Sequence, residues 1–153
     1  MNATGDSDLT RFSLAAYAVI TNESGQVLLT RRREGGEWVL PGGSVEEGEA
    51  PWEAVAREVR EETGLEIGRL RLTGVYAKRR EGDLVFVFRA DASHGRLRGS
   101  DERDRVAFVD PGQLPNRTSV RDEQRLHDSL AVQAAPLLSV QRSDHDEPPP
   151  GTR

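Results

Sequence analysis

One stretch of 23 residues constrains this chain more than any other. Residues 43–65 read GSVEEGEAPWEAVAREVREETGL. Pro51 suits the first turn of a helix, because the N–H that proline lacks would have no partner there. Gly64 suits the position just past a helix end, where φ is often positive. The stretch therefore predicts a helix of about 13 residues between these two positions.

The predicted helix has two different faces. Three glutamates, Glu58, Glu61 and Glu62, share one arc at about 100° per residue. The adjoining arc is predicted to be the face that packs against the rest of the protein. It contains Trp52, Val55, Ala56, Val59 and Thr63. Like charges three and four residues apart weaken a helix by roughly 0.2–0.5 kcal/mol per pair, so a neutralising partner is expected. Carboxylate oxygens on a rigid element suit Mg²⁺ or Mn²⁺.

A glutamate-rich helix is more often simply solvated. Here the glutamates border the apolar face instead of opposing it. The preceding letters WVLPGG, residues 38–43, also predict a buried strand followed by a tight glycine turn. This context favours a metal site over a solvated face.

The stretch fits the pattern G-x5-E-x7-R-E-U-x-E-E-x-G-U, where U is aliphatic, at every fixed position. The matching residues are Gly43, Glu49, Arg57, Glu58, Val59, Glu61, Glu62, Gly64 and Leu65. This pattern is the signature of the Nudix hydrolases, and the chain resembles that superfamily over about residues 12–138. The resemblance implies an α/β fold, namely an α/β/α sandwich with a mixed β-sheet, and layer reasoning on the expected elements agrees. It also implies an enzyme, a Nudix pyrophosphohydrolase acting on phosphoric anhydrides.

The resemblance further implies roles for individual residues. Glu58, Glu61 and Glu62 would bind divalent cations, Mg²⁺ or Mn²⁺, and one of them would instead orient or deprotonate the attacking water. Which glutamate does so is left open. The carbonyl of Gly42 would also reach a metal. Arg57 would hold a glutamate in place, since a guanidinium suits a bidentate contact.

Family members often supply a fourth carboxylate from the loop before the last sheet strand. Glu102 stands six residues before Phe108 in such a loop, with Asp101 and Asp104 as competitors. We predict that Glu102 reaches the metal or the water. The alternative is that Glu102 is one of several charges on a flexible loop. Glu49 is expected to be structural or to support a metal ligand.

Two groups of basic residues flank the stretch, Arg31–Arg33 before it and Lys78–Arg80 after it. Arg31 and Arg79 are predicted to grip a substrate phosphate, and a solvated charge cluster is the alternative. The chain has two Trp, two Tyr and four Phe, mostly in expected core strands, so a large aromatic cage for two bases is not expected. We predict a compact nucleotide with loose base selectivity.

The expected reaction is hydrolysis of a nucleoside diphosphate linked to another moiety. The predicted substrates are nucleoside triphosphates, oxidised ones included, or nucleotide sugars such as ADP-ribose. The alternative from a different class is a Nudix domain that senses a nucleotide with weak or no catalysis. The intact set of glutamates argues for the enzyme.

The net charge of −5 is concentrated in one place. Residues 43–65 carry seven glutamates and two arginines, which accounts for the whole excess, and bound cations would offset it. The chain has no basic stripe of the kind that would indicate a nucleic acid polymer as its partner.

Cysteine is absent, so disulfides, zinc–thiolate sites and a cysteine nucleophile are excluded. No apolar run has the length of a signal peptide core or membrane span, so a cytoplasmic protein without a membrane partner is expected. A homodimer stays open.

With 153 residues, a single domain is expected. We place it at residues 12–138, between a flexible N-terminal tail, 1–11, and a disordered, proline-rich C-terminal tail, 139–153. The predicted strands are residues 12–20, 26–30, 38–40, 84–88 and 106–109.

The connections and the last helix are predicted from turn and capping signals. Gly25 marks a hairpin turn, residues 41–43 a glycine turn, Gly82 a further turn, and residues 91–103 a polar loop. A closing helix begins near Ser119, whose spacing to Asp122 resembles a capping box. Its expected inner face is formed by Leu126, Leu130, Ala134 and Leu137.

Overall fold

The computed structural model describes residues 8–131 and 134–142 of the chain. Within these ranges the chain forms nine strands and two helices, with four strands before α1, four between the helices and one after α2. The elements are β1 Ser13–Thr21, β2 Val27–Arg32, β3 Trp38–Val39, β4 Gly42–Ser44, α1 Pro51–Thr63, β5 Leu65–Ile67, β6 Arg71–Lys78, β7 Asp83–Gly95, β8 Arg103–Val109, α2 Val120–Leu130 and β9 Leu137–Val140. No helix in these ranges is both long and apolar enough to pass through a membrane.

Strand β1 is the centre of one mixed sheet. It pairs antiparallel with β2 and β4 and parallel with β7. The sheet continues in the order β3-β2-β1-β7-β6-β9, with β8 on β2 and β5 on β7. The turn at Gly25, with φ of 75°, joins β1 and β2 as the sequence predicts.

The helices cover opposite faces of this sheet because successive strand residues point to alternate sides. Ala16 and Ala18 of β1 pack in one apolar cluster with Val55 of α1. Val19 packs in a second cluster with Leu126 of α2. The predicted α/β/α sandwich with a mixed sheet is therefore confirmed.

Helix α1 has the bounds that its end signals predict. Pro51 is its first residue, and Gly64 caps its end with φ of 78°. The predicted packing face is wrong at Trp52, which is 59% exposed, whereas Glu62 is buried. The N–H of Gly42 donates to Glu62, so the helix turns this side toward β4.

Residues 41–43 do not form the predicted glycine turn. Gly42 and Gly43 lie in β4, where Gly42 pairs with Tyr17 of β1. A Cβ on Gly42 would lie 2.6 Å from the Cα of Tyr17, and its φ is 147°. Only glycine lets two backbones approach this closely in that conformation, which is why the local turn signal was misleading.

The predicted polar loop at 91–103 is wrong over its first part. Strand β7 continues to Gly95 because β5 supplies a partner for its backbone, with Leu65 opposite Gly95. Strand β8 begins at Arg103 instead of Val106, because its whole length pairs with β2. The polar composition concealed both pairings.

Helix α2 starts as predicted, with the Ser119 hydroxyl accepting a hydrogen bond from the N–H of Asp122 at 3.4 Å. It ends at Leu130, so the predicted helical face is wrong at Ala134 and Leu137. Leu137 begins β9, which pairs parallel with β6 and runs past the predicted domain end at 138. The predicted tail segments 1–7 and 143–153 lie outside the described residues.

Candidate active site

Glu62 lies where α1 meets β4, and its carboxylate is almost fully enclosed. It is 3% exposed. Its Oε2 accepts a hydrogen bond from the N–H of Gly42 at 3.0 Å, and its Oε1 accepts one from Nη2 of Arg103 at 3.2 Å. Burial raises the pKa of Glu62 to about 8, although the Arg103 cation and the Gly42 N–H act in the opposite direction. In the absence of a cation, burial therefore favours the protonated form of Glu62.

Glu58 lies one helical turn away, and its nearby carboxylate contributes to the raised pKa of Glu62. A Cβ on Gly43 would come within 2.9 Å of the Glu58 carboxylate carbon. Glycine in β4 thus leaves the space that this carboxylate occupies. Two acidic groups side by side, one buried, favour a shared proton or a bound cation.

Arg57 connects the glutamates of α1 to the loop before the helix. Its Nε and Nη2 donate to Glu49 at 2.7 and 2.9 Å, and its Nη1 donates to Glu58 at 3.1 Å and to Glu61 at 3.2 Å. Its Nη2 also donates to the Ser44 carbonyl at 3.3 Å. Hydrogen bonds from Arg57, together with a backbone N–H, lower the pKa of Glu49 to about 2. Arg57 therefore fixes the position of the helix relative to the loop.

Glu61 differs from its two neighbours. Its side chain is 59% exposed and faces Arg57. Among residues 8–131 and 134–142, no three acidic, His or Cys side chains converge closely enough to hold a metal ion. The pair of Glu58 and Glu62 nevertheless fits a divalent cation by its chemistry, because carboxylate oxygens are the hard donors that Mg²⁺ prefers.

The start of β8 reaches this pair through Arg103, and the predicted residue Glu102 immediately precedes it. The backbone carbonyl of Glu102 accepts from the N–H of Arg33 at 2.9 Å, and its side chain lines a cavity of about 530 Å³ with Arg32 and Arg103. The side chain of Arg103 is 11% exposed, and its buried Nε has no partner in the described structure. Sequence reasoning missed Arg103, since no local pattern distinguishes it within DERDR.

The two arginines predicted to grip phosphate lie elsewhere. Arg31 donates from Nε and Nη2 to Asp104 at 2.9 and 2.7 Å, so its guanidinium is engaged within the protein. Arg79 lies on the turn between β6 and β7. It lines a cavity together with Val140 and Arg142, at the sheet edge that β9 forms. The structure does not bring either residue to Glu58 or Glu62.

A second polar cleft lies on the α2 side of the sheet. This α2 cleft, of about 480 Å³, is lined by residues of β1, β3 and the start of α2, among them Tyr17, Val39 and Asp122. Tyr17 connects it to the glutamates, because a Cβ on Gly42 would lie 2.7 Å from the Tyr17 ring. The Asp122 carboxylate accepts from the N–H of Leu40 at 3.1 Å. The sequence signals found only the capping position of Asp122, not this cleft.

An α/β/α sandwich that presents paired glutamates beside a polar cleft is the architecture of a Nudix hydrolase. The chain belongs to the NUDIX domain family, whose sequence model matches residues 11–129. The predicted superfamily, fold and enzyme class are thereby confirmed. Members of this family generally use divalent metals.

Known proteins of this family resemble the chain over most of the domain. A MutT-like protein of Streptomyces ambofaciens is 39% identical over 118 residues, which cover 77% of each chain. An ADP-ribose pyrophosphatase of Methanocaldococcus jannaschii is 37% identical over 103 residues, 63% of this chain and 61% of the relative. The solved structure of a MutT NUDIX hydrolase from Burkholderia pseudomallei superposes with a TM-score of 0.69 at 27% identity, covering 79% of this chain and 99% of that one.

Proposed function

We propose that this Nudix hydrolase cleaves compact nucleoside diphosphate derivatives, either nucleoside triphosphates, including oxidised ones, or nucleotide sugars such as ADP-ribose. The buried carboxylate of Glu62 beside Glu58 is the observation that carries this proposal. We place Mg²⁺ or Mn²⁺ on Glu58, Glu61 and Glu62, with the Gly42 carbonyl as a further ligand.

The chain's own residues prepare the reaction. Arg57 holds Glu58 and Glu61 on one side of α1, and the N–H of Gly42 holds Glu62. A bound divalent cation supplies neutralisation of the phosphate oxygens and a lowered pKa of bound water. Water attacks phosphorus, the P–O–P anhydride bond breaks, and the water proton passes to one of the glutamates as general base. The products are two phosphate compounds.

The size of the α2 cleft supports a compact substrate. Its volume of about 480 Å³ lies within the range of roughly 300–1,000 Å³ that small-molecule sites occupy. One nucleotide or one sugar fits such a space better than two nucleosides. The relative named as an ADP-ribose pyrophosphatase supports a nucleotide sugar. We further infer a cytoplasmic enzyme that acts on free nucleotides.

A substrate panel tests this proposal. Nucleoside triphosphates, ADP-ribose and a dinucleoside polyphosphate are incubated with Mg²⁺, with Mn²⁺ or with EDTA, and the products identify the broken phosphate bond. We expect metal-dependent cleavage of several triphosphates or diphosphate sugars. Exclusive cleavage of the dinucleoside polyphosphate would contradict a compact substrate. Turnover in EDTA equal to that in Mg²⁺ would contradict a metal enzyme.

A further inference from the structure

The α2 cleft is positively charged although the protein as a whole is acidic. Its described lining has two carboxylates, Glu37 and Asp122, against five cations. The cations are Arg32, Lys78, Arg117, Arg121 and Arg125. Two further carboxylates, Glu81 and Asp83, pair with Arg121 and Lys78, so the cleft carries a net charge of +1 in a chain whose net charge is −5. A cleft of one sign concentrates ligands of the opposite sign.

Three of these five cations are neutralised within the protein. Arg125 donates from Nη1 to Oδ1 of Asp122 at 2.8 Å, and both side chains are almost fully buried. Arg121 is paired with Glu81 at 2.7 Å, and Lys78 lies 3.4 Å from an Asp83 carboxylate oxygen. These cations hold the cleft together and are not available to a ligand.

The other two cations, Arg32 and Arg117, have no ion pair or side-chain hydrogen bond within residues 8–131 and 134–142. Arg32, the last residue of β2, is exposed and lines the cleft. Burial raises the pKa of Tyr17 and of Asp122, and the Arg32 cation acts against both shifts.

Arg117 is held at the cleft rim by an unusual backbone. Its φ is 66°, the one positive value among the non-glycine residues described. Strand β3 keeps it there, since the N–H of Trp38 donates to the Arg117 carbonyl and the N–H of Ser119 donates to the Trp38 carbonyl, both at 2.9 Å. A Cβ on Gly36 would lie 3.4 Å from Nη1 of Arg117, so the guanidinium rests over the loop between β2 and β3. Such backbone strain persists where the surroundings impose it, and it is enriched at ligand sites.

The same cleft is poorly suited to stacking a base. Tyr17 is the one aromatic side chain in its described lining. The Arg125 guanidinium covers a face of the Tyr17 ring, 5.3 Å from the ring centroid. Cationic and polar groups, not a free aromatic face, therefore define what the cleft recognises.

We propose that the α2 cleft binds an anionic group that the substrate carries beyond the scissile diphosphate, and that Arg32 and Arg117 are its ligands. This inference rests on the proposed function, since Tyr17 and Gly42 join the cleft to Glu62. The third phosphate of a nucleoside triphosphate and the carboxylate of a sugar acid share the required chemistry. A neutral sugar lacks it.

Three uridine compounds separate these sources. UDP-glucose is neutral beyond the diphosphate, UDP-glucuronate differs from it by a carboxylate in place of a hydroxymethyl group, and UTP carries a third phosphate. We expect kcat/KM for at least one charged compound to exceed that for UDP-glucose by about tenfold or more, since a charge-assisted hydrogen bond typically has that effect. A preference for UTP alone assigns the group to a phosphate, and a preference for UDP-glucuronate alone assigns it to a carboxylate.

Charge-removing variants show whether the two arginines cause the preference. Asn accepts a left-handed backbone, so Arg117→Asn removes the guanidinium without adding strain, and Arg32→Gln does the same on a strand. Each variant should lower the charged-to-neutral ratio of kcat/KM by about tenfold. The matched control is Arg71→Gln. Arg71 begins β6 and Lys78 ends it, so this exposed charge lies about 23 Å from the cleft along the strand, and the ratio should not change.

A binding measurement separates failure of this inference from failure of the proposed function. Calorimetry in EDTA compares glucuronate 1-phosphate with glucose 1-phosphate on the wild type and on Arg117→Asn. If the wild type binds glucuronate 1-phosphate more tightly than glucose 1-phosphate, and Arg117→Asn abolishes this difference, the result supports the anionic cleft even if no uridine compound is hydrolysed. Hydrolysis with equal kcat/KM for all three compounds, or a preference that both arginine variants retain, overturns the inference while the hydrolase function stands. Equal binding of the two sugar phosphates in a protein that hydrolyses nothing overturns both.

Discussion

Arg103 and Glu62 form a buried ion pair across 41 positions of sequence, with Nη2 and Oε1 3.2 Å apart. The cation comes from the first residue of β8 and the carboxylate from α1. We assign Glu62 to the metal site. In the metal-free protein the Arg103 cation therefore stabilises the Glu62 carboxylate, a role that a divalent cation would take over. The pair therefore links stability of the domain to loading of the site.

Replacing Arg103 by Gln should destabilise the metal-free protein by about 1–3 kcal/mol, because a buried carboxylate loses a charged donor. The variant should gain more stability from Mg²⁺ than the wild type does, because the cation then meets an unpaired carboxylate. Urea unfolding with EDTA and with saturating Mg²⁺ measures both effects. Arg33→Gln, in the same cavity but bonded to backbone carbonyls, serves as the control. An equal Mg²⁺ increment in Arg103→Gln and wild type would contradict this link.

The three glutamates of α1 should differ in their response to substitution by Gln. Glu58→Gln and Glu62→Gln should each lower metal-dependent kcat by roughly 10²-fold or more and leave the fold intact. Gln at position 62 still accepts the Gly42 N–H with its carbonyl oxygen. Glu61 is the most exposed of the three, so we expect Glu61→Gln to cost less activity than the other two. Far-ultraviolet circular dichroism checks the fold, and a Glu62→Gln variant with wild-type turnover would remove the carboxylate pair from the mechanism.

Glu49 should make stability depend on acid pH. Its pKa in the folded protein is lowered to about 2, against an ordinary value of 4.5, chiefly by hydrogen bonds from Arg57. A lowered pKa means that the unfolded chain binds the proton more tightly, so this stabilisation is present above pH 4.5 and is lost as the pH falls toward 2. Glu49→Gln should therefore be less stable than wild type at neutral pH, and the difference should shrink over that acid range. Thermal unfolding from pH 7 to pH 2.5 measures it, and a constant difference would show that the Arg57 contact does not control the titration.

Local sequence signals predicted α1 well because everything that defines it lies within a few residues. Pro51 and Gly64 determine its ends through backbone conformation alone. Which face of α1 packs depends on the elements that contact it, and one of these elements is β4. Strand β4 was not predicted, because a segment of three residues with two glycines shows no strand pattern. Trp52 was therefore placed inside although it is 59% exposed.

The parts of the candidate site that the sequence did not predict all depend on distant contacts. Arg103 meets Glu62 from 41 positions away, and Asp122 meets the N–H of Leu40 from 82 positions away. Periodicity and capping patterns relate residues up to about four positions apart. Asp122 illustrates the limit, since its backbone N–H fits the capping signal while its carboxylate serves the cleft.

The close approach of β4 to β1 should make Gly42 the least replaceable glycine of the site. Its φ is 147°, and a Cβ there would lie 2.6 Å from the Cα of Tyr17, a backbone atom that cannot move aside. We expect Gly42→Ala to destabilise the protein by about 3 kcal/mol or more, from strain and overlap together. Gly25→Ala is the matched control, because Gly25 also has a positive φ, 75°, but has open space around it, so strain alone should cost about 1–2 kcal/mol. Urea unfolding of both variants tests the comparison. Equal losses would show that β4 moves away from β1 to accommodate a methyl group, and the Gly42 N–H would then no longer hold Glu62 in place.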